Sequence, residues 1–344
     1  MIIPALLTLL AVSVLALAWN CYRICFYSPK KGRSSPYDPM KGPQYEAVAD
    51  TIFRIIGIME QYPCEEVEIR SFDGLALRGR YYHFADGAPL MLLFHGYRSA
   101  ALRDCCGGHA MAQKLGYNAL VVDQRAHGNS GGRTITFGIR ERLDVHAWLR
   151  YAADRFGTGT PVILYGLSMG AATVLMGCAD GYRSNAVCII ADSPYCAPAD
   201  IIRKVCQDFH YPALLYPFIW LGALLFGRFR LDGCTAEDAV RKARIPILIL
   251  HGEDDRLVPA GMGQKIAVGN PRLCRIYTVP GAGHGLSFLV DPAGCETAVM
   301  DFLASVPALN IYSKYNRKRR KINVCILYRT PKPWYTVEST AAMY

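Results

Sequence analysis

The sequence predicts an α/β fold in which helices cover both faces of a mostly parallel central sheet. Between residues 46 and 308, short runs rich in valine, isoleucine and leucine alternate with segments of helical spacing. Because these runs are apolar throughout, they indicate strands buried on both faces, which is typical of parallel sheets. Most runs end at a glycine or aspartate followed by polar residues. Ligands bind beyond the carboxyl ends of such strands, so we expect the functional residues in these polar clusters.

The elements of this domain alternate in a regular order. EEVEIRS and ALRGRYYHF flank the turn signal FDG and are predicted to form a hairpin. The further predicted strands are PLMLLFHG, NALVVDQRAHG, PVILYGLSMG, NAVCIIADSP, IPILILHGEDD and CRIYTVPGAGHG. The predicted helices are CCGGHAMAQKLG, ITFGIRERLDVHAWLRYAADRFG, AATVLMGCA, PAGMGQKIAVG and CETAVMDFLASV. Helices between consecutive strands are the connections that a parallel sheet requires.

The segments outside this domain differ from it in composition. The run from Ile2 to Trp19 carries no charge and is long enough to cross a bilayer. Residues 1–26 are therefore predicted to be a single-pass membrane anchor, with a cleaved signal sequence or a buried helix as alternatives. Basic residues follow the run, which places the next domain on the cytoplasmic side. Residues 27–45 are predicted to be a linker, and residues 309–344 a basic, poorly ordered tail.

Charge and cysteine content exclude some classes of protein. The formal net charge of the 344 residues is +10, and much of the excess lies after the apolar run and in the tail sequence KYNRKRRK. Charge concentrated at the two ends indicates membrane topology and tail solvation rather than nucleic-acid binding. The 13 cysteines are scattered and show neither paired nor zinc-binding spacing. They indicate reduced, mostly buried thiols in a reducing compartment.

The stretch VILYGLSMGAATVLM contains the strongest local signal. Gly166, Ser168 and Gly170 fit the pattern G-x-S-x-G between an apolar strand and an alanine-rich helix. In this context the pattern predicts a sharp, strained strand-to-helix turn that exposes a nucleophilic serine. Both glycines are expected at points where neighbouring chain leaves no room for a side chain. The backbone N–H of Met169 is then available to stabilise an oxyanion at the helix N-terminus.

A serine hydroxyl needs a base, which in this architecture follows the nucleophile in the sequence. Three histidines, His210, His251 and His284, follow Ser168. His284 lies in the small-residue loop PGAGHG between a strand and the last helix, where its ring has room to reach the serine. His251 begins HGEDD at a strand end and is expected to hold the turn. His210 lies inside an insertion, so His284 is the predicted base.

The carboxylate that orients the base is expected in a loop after a strand. In ILILHGEDDRLVP, Asp255 fits the pattern H-G-x-x-D-x-x-V-P and is the predicted acid, with Asp254 as a weaker candidate. Asp192, one strand earlier in ADSP, is the rival, and its structural alternative is a turn or helix-capping residue. A second oxyanion donor is expected after MLLFHG, where it is the backbone N–H of Tyr97. His95 in the same loop is expected to be structural.

Together these stretches resemble the α/β-hydrolase superfamily over residues 46–306. The resemblance rests on LLFHGYRS, VVDQRAHGNSGG, YGLSMGAAT, ADSPY, ILILHGEDDRLVP and PGAGHG, which occur in this order. The branch is similar to bacterial membrane-anchored hydrolases of the serine aminopeptidase and Bem46-like groups. The resemblance implies the α/β-hydrolase fold and assigns nucleophile, acid and base to Ser168, Asp255 and His284. It implies a structural role for the motif at residues 123–130.

Residues 196–244 form an insertion between two predicted strands and are expected to be a helical cap. The centre of the insertion, YPALLYPFIWLGALLFGRF, is aromatic and aliphatic. It is expected to pack on the core, and in addition either to line an acyl pocket or to dip into the bilayer beside the anchor. A second membrane span is the alternative, although a proline and a glycine interrupt the apolar stretch.

These features predict a serine hydrolase that cleaves carboxylic esters through an acyl-enzyme intermediate. The expected substrate is a small molecule with a lipophilic acyl ester or thioester. The alternatives are a serine peptidase acting on small peptides, an acyltransferase, and a catalytically idle binding module tethered to the membrane. The sequence contains no P-loop, Rossmann glycine motif or metal-ligand cluster, so it predicts neither a cofactor nor a metal.

Overall fold

The computed structural model describes residues 2–39, 42–182 and 185–310, and eight strands of this part form one sheet. The strands are β1 (Glu65–Arg70), β2 (Ala76–Tyr82), β3 (Leu90–Phe94), β4 (Asn118–Asp123), β5 (Val162–Leu167), β6 (Ala186–Asp192), β7 (Ile247–Gly252) and β8 (Cys274–Val279). Their spatial order is β1-β2-β4-β3-β5-β6-β7-β8. β2 runs antiparallel to β1 and β4. The six strands β3 to β8 are parallel to one another. The predicted mostly parallel sheet is confirmed.

Helices surround this sheet and also precede it. They are α1 (Ile2–Cys25), α2 (Pro43–Glu46), α3 (Ala49–Glu60), α4 (Ala101–Leu115), α5 (Glu141–Phe156), α6 (Met169–Met176), α7 (Pro198–Asp208), α8 (Tyr216–Leu225), α9 (Ala236–Val240), α10 (Ala260–Gly269), α11 (Ser287–Val290) and α12 (Pro292–Ala304). Short 3₁₀ turns are Gly177–Asp180, Ala213–Leu215 and Pro307–Leu309. Helices α7, α8 and α9 form the predicted helical cap. Of the predicted tail, residues 311–344 lie outside the described residues.

Side chains of the parallel strands alternate between two hydrophobic cores. In β3, Leu90, Leu92 and Phe94 enter one core, whereas Met91 and Leu93 enter the other. Successive side chains of a strand point to opposite faces, so helices cover both sides of the sheet. The first face is covered by α5, α6, α10 and the cap. The second face is covered by α3, α4 and α12.

Helix α5 begins later than the sequence predicts. The helical spacing of ITFGIRERLDVHAWLRYAADRFG predicted a start near Ile135, but the helix starts at Glu141. Phe137 and Gly138 have φ angles of 53° and 90°, which a right-handed helix does not allow. The buried carboxylate of Glu141 accepts hydrogen bonds from the backbone N–H groups of Thr136 and Gly138 and so stabilises this turn.

Helices α2 and α3 precede the sheet, and the sequence analysis assigned no element to them. Ile52, Ile55, Ile56 and Met59 of α3 are buried in the second core. Their i, i+3, i+4, i+7 spacing is the signal that would have predicted this helix. β-Branched residues lower helix propensity, so packing of this apolar stripe on α4 stabilises the helix.

Helix α1 is long and apolar enough to cross a membrane, and among the described residues it alone meets that criterion. Only 6% of its most apolar window is buried within the protein. The helix becomes buried at its C-terminal end, where Ala18 and Tyr22 pack beneath α8. Phe26, which follows the helix, is fully buried in edge-to-face contact with Phe137 and Phe229.

The segment predicted to be a linker is described at residues 27–39 and 42–45. Residues 42–45 contain the start of α2, and residues 27–39 dock on the sheet domain. Tyr27 forms a β-bridge with Thr134, and Ser28 donates a hydrogen bond to the carbonyl of Ala126. The guanidinium of Arg33 donates to the carbonyl groups of His127, Gly128, Ser130 and Gly132. Composition predicted the irregular conformation of this segment, but these contacts depend on loop carbonyls about a hundred residues away.

Candidate active site

The serine predicted as nucleophile lies at a strained turn between β5 and α6. The backbone of Ser168 has φ 55° and ψ −114°, a conformation that residues other than glycine rarely adopt. A Cβ atom on Gly166 would lie 2.5 Å from the backbone nitrogen of Ala171. A Cβ atom on Gly170 would lie 2.7 Å from the carbonyl oxygen of His95. Neither position has room for a side chain, because the turn brings backbone against backbone.

Three predicted residues meet at the carboxyl edge of the sheet. The Nε2 atom of His284 lies 2.8 Å from the Oγ atom of Ser168, and its Nδ1 atom lies 2.7 Å from the Oδ2 atom of Asp255. These residues follow β5, β7 and β8. Because the strands are parallel, their carboxyl ends share one edge and loops distant in sequence converge there.

Asp255 is held as a carboxylate by its hydrogen bonds. Its Oδ1 atom accepts hydrogen bonds from the backbone N–H groups of Leu257 and Val258, and Oδ2 faces His284. Burial alone would raise the pKa of Asp255, but interactions with His251 and His284 outweigh burial and lower the pKa to about 2. A carboxylate that stays ionised can orient and stabilise a positively charged imidazole.

The rival candidates have other partners. Asp192 is buried, and the hydroxyl of Ser193 donates a hydrogen bond to its carboxylate. Burial raises the pKa of Asp192 to about 6. The ring of His251 bonds to the carbonyl of Val258 through Nε2, as expected for a residue that holds the turn. His210 lies at the end of α7 in the cap.

Two backbone N–H groups are candidates for an oxyanion hole. They belong to Tyr97, after β3, and Met169, the first residue of α6. Within residues 2–39, 42–182 and 185–310, neither group donates a hydrogen bond to another residue. Gly96 brings the loop close to the nucleophile, because a Cβ atom there would lie 3.4 Å from Cβ of Ser168.

Two residues that the sequence analysis did not assign to the site hold this loop in place. The carboxylate of Asp104, in the first turn of α4, accepts hydrogen bonds from the Gly96 N–H (2.8 Å) and the Ser99 hydroxyl (2.5 Å). The Nε2 atom of His127 accepts from the Arg98 N–H at 2.9 Å. Burial holds the pKa of His127 well below its usual value, so the ring stays neutral and can accept.

The signals for these residues were weak. An aspartate in the first turn of a helix, such as Asp104, is common without any catalytic context. His127 belongs to the motif at residues 123–130, which was expected to be structural. In that motif Arg125 forms paired hydrogen bonds with the carboxylates of Asp144 and Asp73. His95 accepts a hydrogen bond from the backbone N–H of Gln124, which is also a structural contact.

A cavity of about 450 Å³ opens at Ser168 and His284. Most of its wall is apolar and comes from α3, α4 and the segment around α11; examples are Ile52, Ile55, Met111, Leu286 and Phe288. None of the described residues that line it belongs to the insertion at 196–244. The expectation that the cap lines an acyl pocket is therefore wrong. The cap packs on the first face of the sheet, whereas α3 and α4 enclose the cavity on the second.

The fold and the site define a hydrolase with a half-buried serine at the carboxyl edge of the sheet. The sequence profile of the alpha/beta hydrolase family matches residues 91–298, which is more than half of the chain. The chain therefore belongs to the alpha/beta hydrolase family.

Curated relatives include uncharacterised and characterised proteins. The uncharacterised protein YqkD of Bacillus subtilis is 26% identical over 239 residues, covering 68% of this chain and 77% of YqkD. Protein ABHD12B of Homo sapiens is 29% identical over 64% of this chain and 61% of its own. The lysophosphatidylserine lipase ABHD12 of Danio rerio is 28% identical over 53% of this chain and 47% of its own. The match thus spans about half of that lipase.

Solved structures share the fold. The esterase Pf2001 of Pyrococcus furiosus superposes with a TM-score of 0.59 at 24% identity, covering 78% of this chain and 97% of the esterase. Est1E of Butyrivibrio proteoclasticus, solved with ferulic acid bound, superposes with a TM-score of 0.54 at 19% identity over 70% of this chain and all of Est1E. At this identity the similarity shows the fold alone.

Proposed function

We propose that this protein is a serine hydrolase that cleaves carboxylic esters of lipophilic acyl groups. The observation that carries the proposal is the continuous hydrogen-bond chain from Asp255 through His284 to Ser168, which ends in an apolar cavity. The curated relatives named as lysophosphatidylserine lipases act on an ester of a lipid, which supports the same class of substrate.

The geometry supports acyl transfer in two steps. The Oγ atom of Ser168 attacks the ester carbonyl while Nε2 of His284 takes the hydroxyl proton. The negative charge that develops on the carbonyl oxygen is stabilised by the N–H groups of Tyr97 and Met169. His284 then gives the proton to the leaving alkoxide, and the acyl group remains on the serine. Water, deprotonated by His284, releases the carboxylic acid and restores the serine hydroxyl.

Asp255 contributes by orientation and charge. It accepts the hydrogen bond from Nδ1–H of His284, which keeps Nε2 as the acceptor that faces the serine. When His284 becomes positively charged, the adjacent buried carboxylate stabilises that charge. The backbone hydrogen bonds to Oδ1 keep the carboxylate from rotating away.

The cavity wall favours a lipophilic acyl group over a peptide. A peptidase for free amino termini needs an available carboxylate near the site. In the cavity, Asp104 already accepts hydrogen bonds from its own loop, and Glu296 forms an ion pair with Lys114. The isoleucines of α3 and Met111 and Gly107 of α4 give the cavity an apolar wall, which suits a hydrocarbon chain.

We further propose that α1 anchors the enzyme in a membrane with the hydrolase domain on the cytoplasmic side. Arg23 lies in the last turn of the helix, and Lys30, Lys31 and Arg33 follow it; the positive-inside rule places these residues in the cytoplasm. The twelve cysteines among the described residues are all free, which suits a reducing compartment. The cavity lies close to the end of α1, because the hydroxyl of Tyr97 donates to the carbonyl of Cys25.

Fluorophosphonate labelling of membranes that contain the full chain tests the catalytic proposal. We expect wild type to be labelled and Ser168→Ala not to be labelled, with ester hydrolysis reduced by at least about 10⁴-fold. Ser305→Ala is the control, since it removes a serine hydroxyl that bonds to the carbonyl of Phe302, away from the cavity, and should keep the label. Unlabelled but folded wild type would refute an activated serine and favour the idle binding module. Cleavage of peptide amides in preference to esters would favour the peptidase.

A further inference from the structure

The cap exposes a group of large apolar side chains. Phe209, Tyr211 and Leu214 are 69%, 55% and 75% exposed, and Leu224 and Leu225 of α8 are also exposed. Here these five residues are called the cap surface. The rings of Phe209 and Tyr211 lie 6.2 Å apart, so these two side chains form one continuous patch. Exposed apolar residues that cluster in this way indicate an interaction site.

Two residues of the cap surface, Leu224 and Leu225, belong to α8, which packs on α1. Helix α8 lies directly against the C-terminal end of α1, where a Cβ atom on Gly222 would lie 2.5 Å from the carbonyl oxygen of Ala18. Trp19 contacts Phe226 edge-to-face with ring centroids 4.9 Å apart. Small residues at this crossing allow the two helix backbones to approach closely, as in membrane helix pairs.

The crossing point lies where α1 leaves the hydrocarbon. The uncharged run Ile2–Trp19 is about 27 Å long at about 1.5 Å per residue. This length nearly spans the hydrocarbon core of a bilayer, which is about 30 Å thick. The first charged residue, Arg23, follows one turn later. Helix α8 packs on Ala18 and Trp19, so it lies at the level of the bilayer interface, where tryptophan and tyrosine are enriched.

Hydrogen bonds between the end of α1 and the loop after β3 hold the cap at the level of the bilayer interface. The guanidinium of Arg98 donates to the carbonyl groups of Ile24 and Tyr27, and the hydroxyl of Tyr97 donates to that of Cys25. These bonds link the end of the helix to the loop after β3. Together with the contacts of the docked segment at residues 27–39, these bonds set the orientation of the cap relative to α1.

We propose that the cap surface inserts into the interfacial layer of the leaflet from which α1 emerges, so that the enzyme is held by one spanning helix and one inserted cap. The partner is a lipid bilayer. The apolar and aromatic side chains of the cap surface suit the boundary between headgroups and acyl chains. Arg203 of α7 lies over the ring of Tyr216, the first residue of α8, at 4.1 Å and pairs with Asp200 at 3.5 Å.

Site-specific photocrosslinking tests this proposal. The photoreactive residue p-benzoylphenylalanine replaces Phe209 or Leu214 in the full chain, and purified protein is reconstituted in vesicles of phosphatidylcholine and phosphatidylglycerol at 3:1. Val268, which is 77% exposed on α10, is the matched control position. After irradiation, intact mass spectrometry detects lipid adducts. If the variant at Phe209 or Leu214 unfolds at a lower temperature than wild type, the photoreactive residue is placed at Tyr211 instead.

We expect lipid adducts at Phe209 and Leu214, at least tenfold more abundant than at Val268. Equal adduct levels at all three positions would overturn the proposal, because they would reflect nonspecific contact. Crosslinks from Phe209 or Leu214 to a second copy of the chain in place of lipid would also overturn it and identify the patch as a dimer interface. The readout does not use catalysis, so its failure leaves the proposed hydrolase function standing.

Discussion

Helix α4 contains a glycine whose absence of a side chain shapes the cavity. Gly107 lines the cavity, and a Cβ atom there would meet no atom within 4 Å. Its neighbour Gly108 differs, because a Cβ atom there would clash with Leu93 of the sheet. We predict that Gly107→Leu places an isobutyl group in the cavity and shortens the acyl chain that the enzyme accepts.

The expected magnitude follows from the carbon atoms displaced. The leucine side chain adds four carbons, which exclude about four methylene groups of a substrate from the cavity. Each buried methylene contributes about 0.8 kcal/mol, so the loss is about 3 kcal/mol, or on the order of 100-fold in kcat/KM for long-chain esters. Esters of acetate and butyrate, which do not reach the leucine, should be hydrolysed at close to the wild-type rate. Replacing a helical glycine should also stabilise the fold by up to about 0.8 kcal/mol.

The assay is a series of p-nitrophenyl esters of increasing chain length, with thermal unfolding measured in parallel. Gly57→Leu is the matched control: Gly57 is also inside a helix with open space at Cβ, but it does not line the cavity. It should leave the chain-length profile unchanged. An equal effect of Gly107→Leu on short and long esters, with stability retained, would refute the assignment of this cavity as the acyl site.

Three further predictions address the loop after β3, the docked segment and the acid. Tyr97→Phe removes a hydroxyl that bonds to the end of α1 but keeps the backbone N–H, so we expect kcat to fall roughly 3- to 30-fold with little change in KM. Tyr22→Phe removes a comparable hydrogen bond, between Tyr22 and Thr134 near the end of α1, and should leave kcat unchanged. Equal losses of kcat in the two variants would contradict a positioning role for the Tyr97 hydroxyl. Arg33→Lys loses most of the four hydrogen bonds from Arg33 to carbonyl groups, so the free energy of unfolding should fall by about 2 kcal/mol. Limited proteolysis of residues 27–39 should also become faster. The control Lys31→Ala, at an exposed position, should change neither quantity. The pKa of Asp255 lies below its ordinary value of 3.8, at about 2, so the carboxylate stabilises the native state above pH 3.8 and this stability disappears as pH falls through about 2. The difference in unfolding free energy between wild type and Asp255→Asn should therefore shrink by about 2 kcal/mol over that interval, and a constant difference would refute the depressed pKa.

Much of the fold was predictable because its signals are local. A strand buried on both faces must be apolar along its whole length, so LMLLF and ALVVD indicate a parallel sheet without any tertiary information. The turn at Ser168 was predictable for a similar reason, since its backbone conformation excludes side chains at Gly166 and Gly170. The candidates Asp255 and His284 followed from the order of loops in this architecture.

The errors lie where one specific contact overrides the local sequence pattern. The helical spacing of ITFGIRERL extends to Ile135, but the turn at Phe137 and Gly138, held by the Glu141 carboxylate, interrupts the helix. The composition of residues 27–39 is that of a linker, yet Arg33 fastens this segment to loop carbonyls on the sheet domain. Glu141 is close in sequence to the turn, but helical spacing does not report a contact between a side chain and the backbone; the carbonyl groups that bind Arg33 are about a hundred residues away, so no local pattern reports that contact.

The sequence by itself determined the α/β class, the helical cap, the apolar helix at the start of the chain and the residues available for nucleophilic catalysis. These properties depend on backbone conformation, on the spacing of apolar residues and on side-chain chemistry, all of which can be read from residues close together in the sequence. Only the tertiary structure decided which segments enclose the cavity. The cap, although apolar, packs on the face of the sheet that carries the end of α1. The unassigned helix α3 packs with α4 on the other face and lines the cavity at the serine. An amphipathic segment can bury its apolar side against any complementary surface, and the order of strands across the sheet selects which surface it meets.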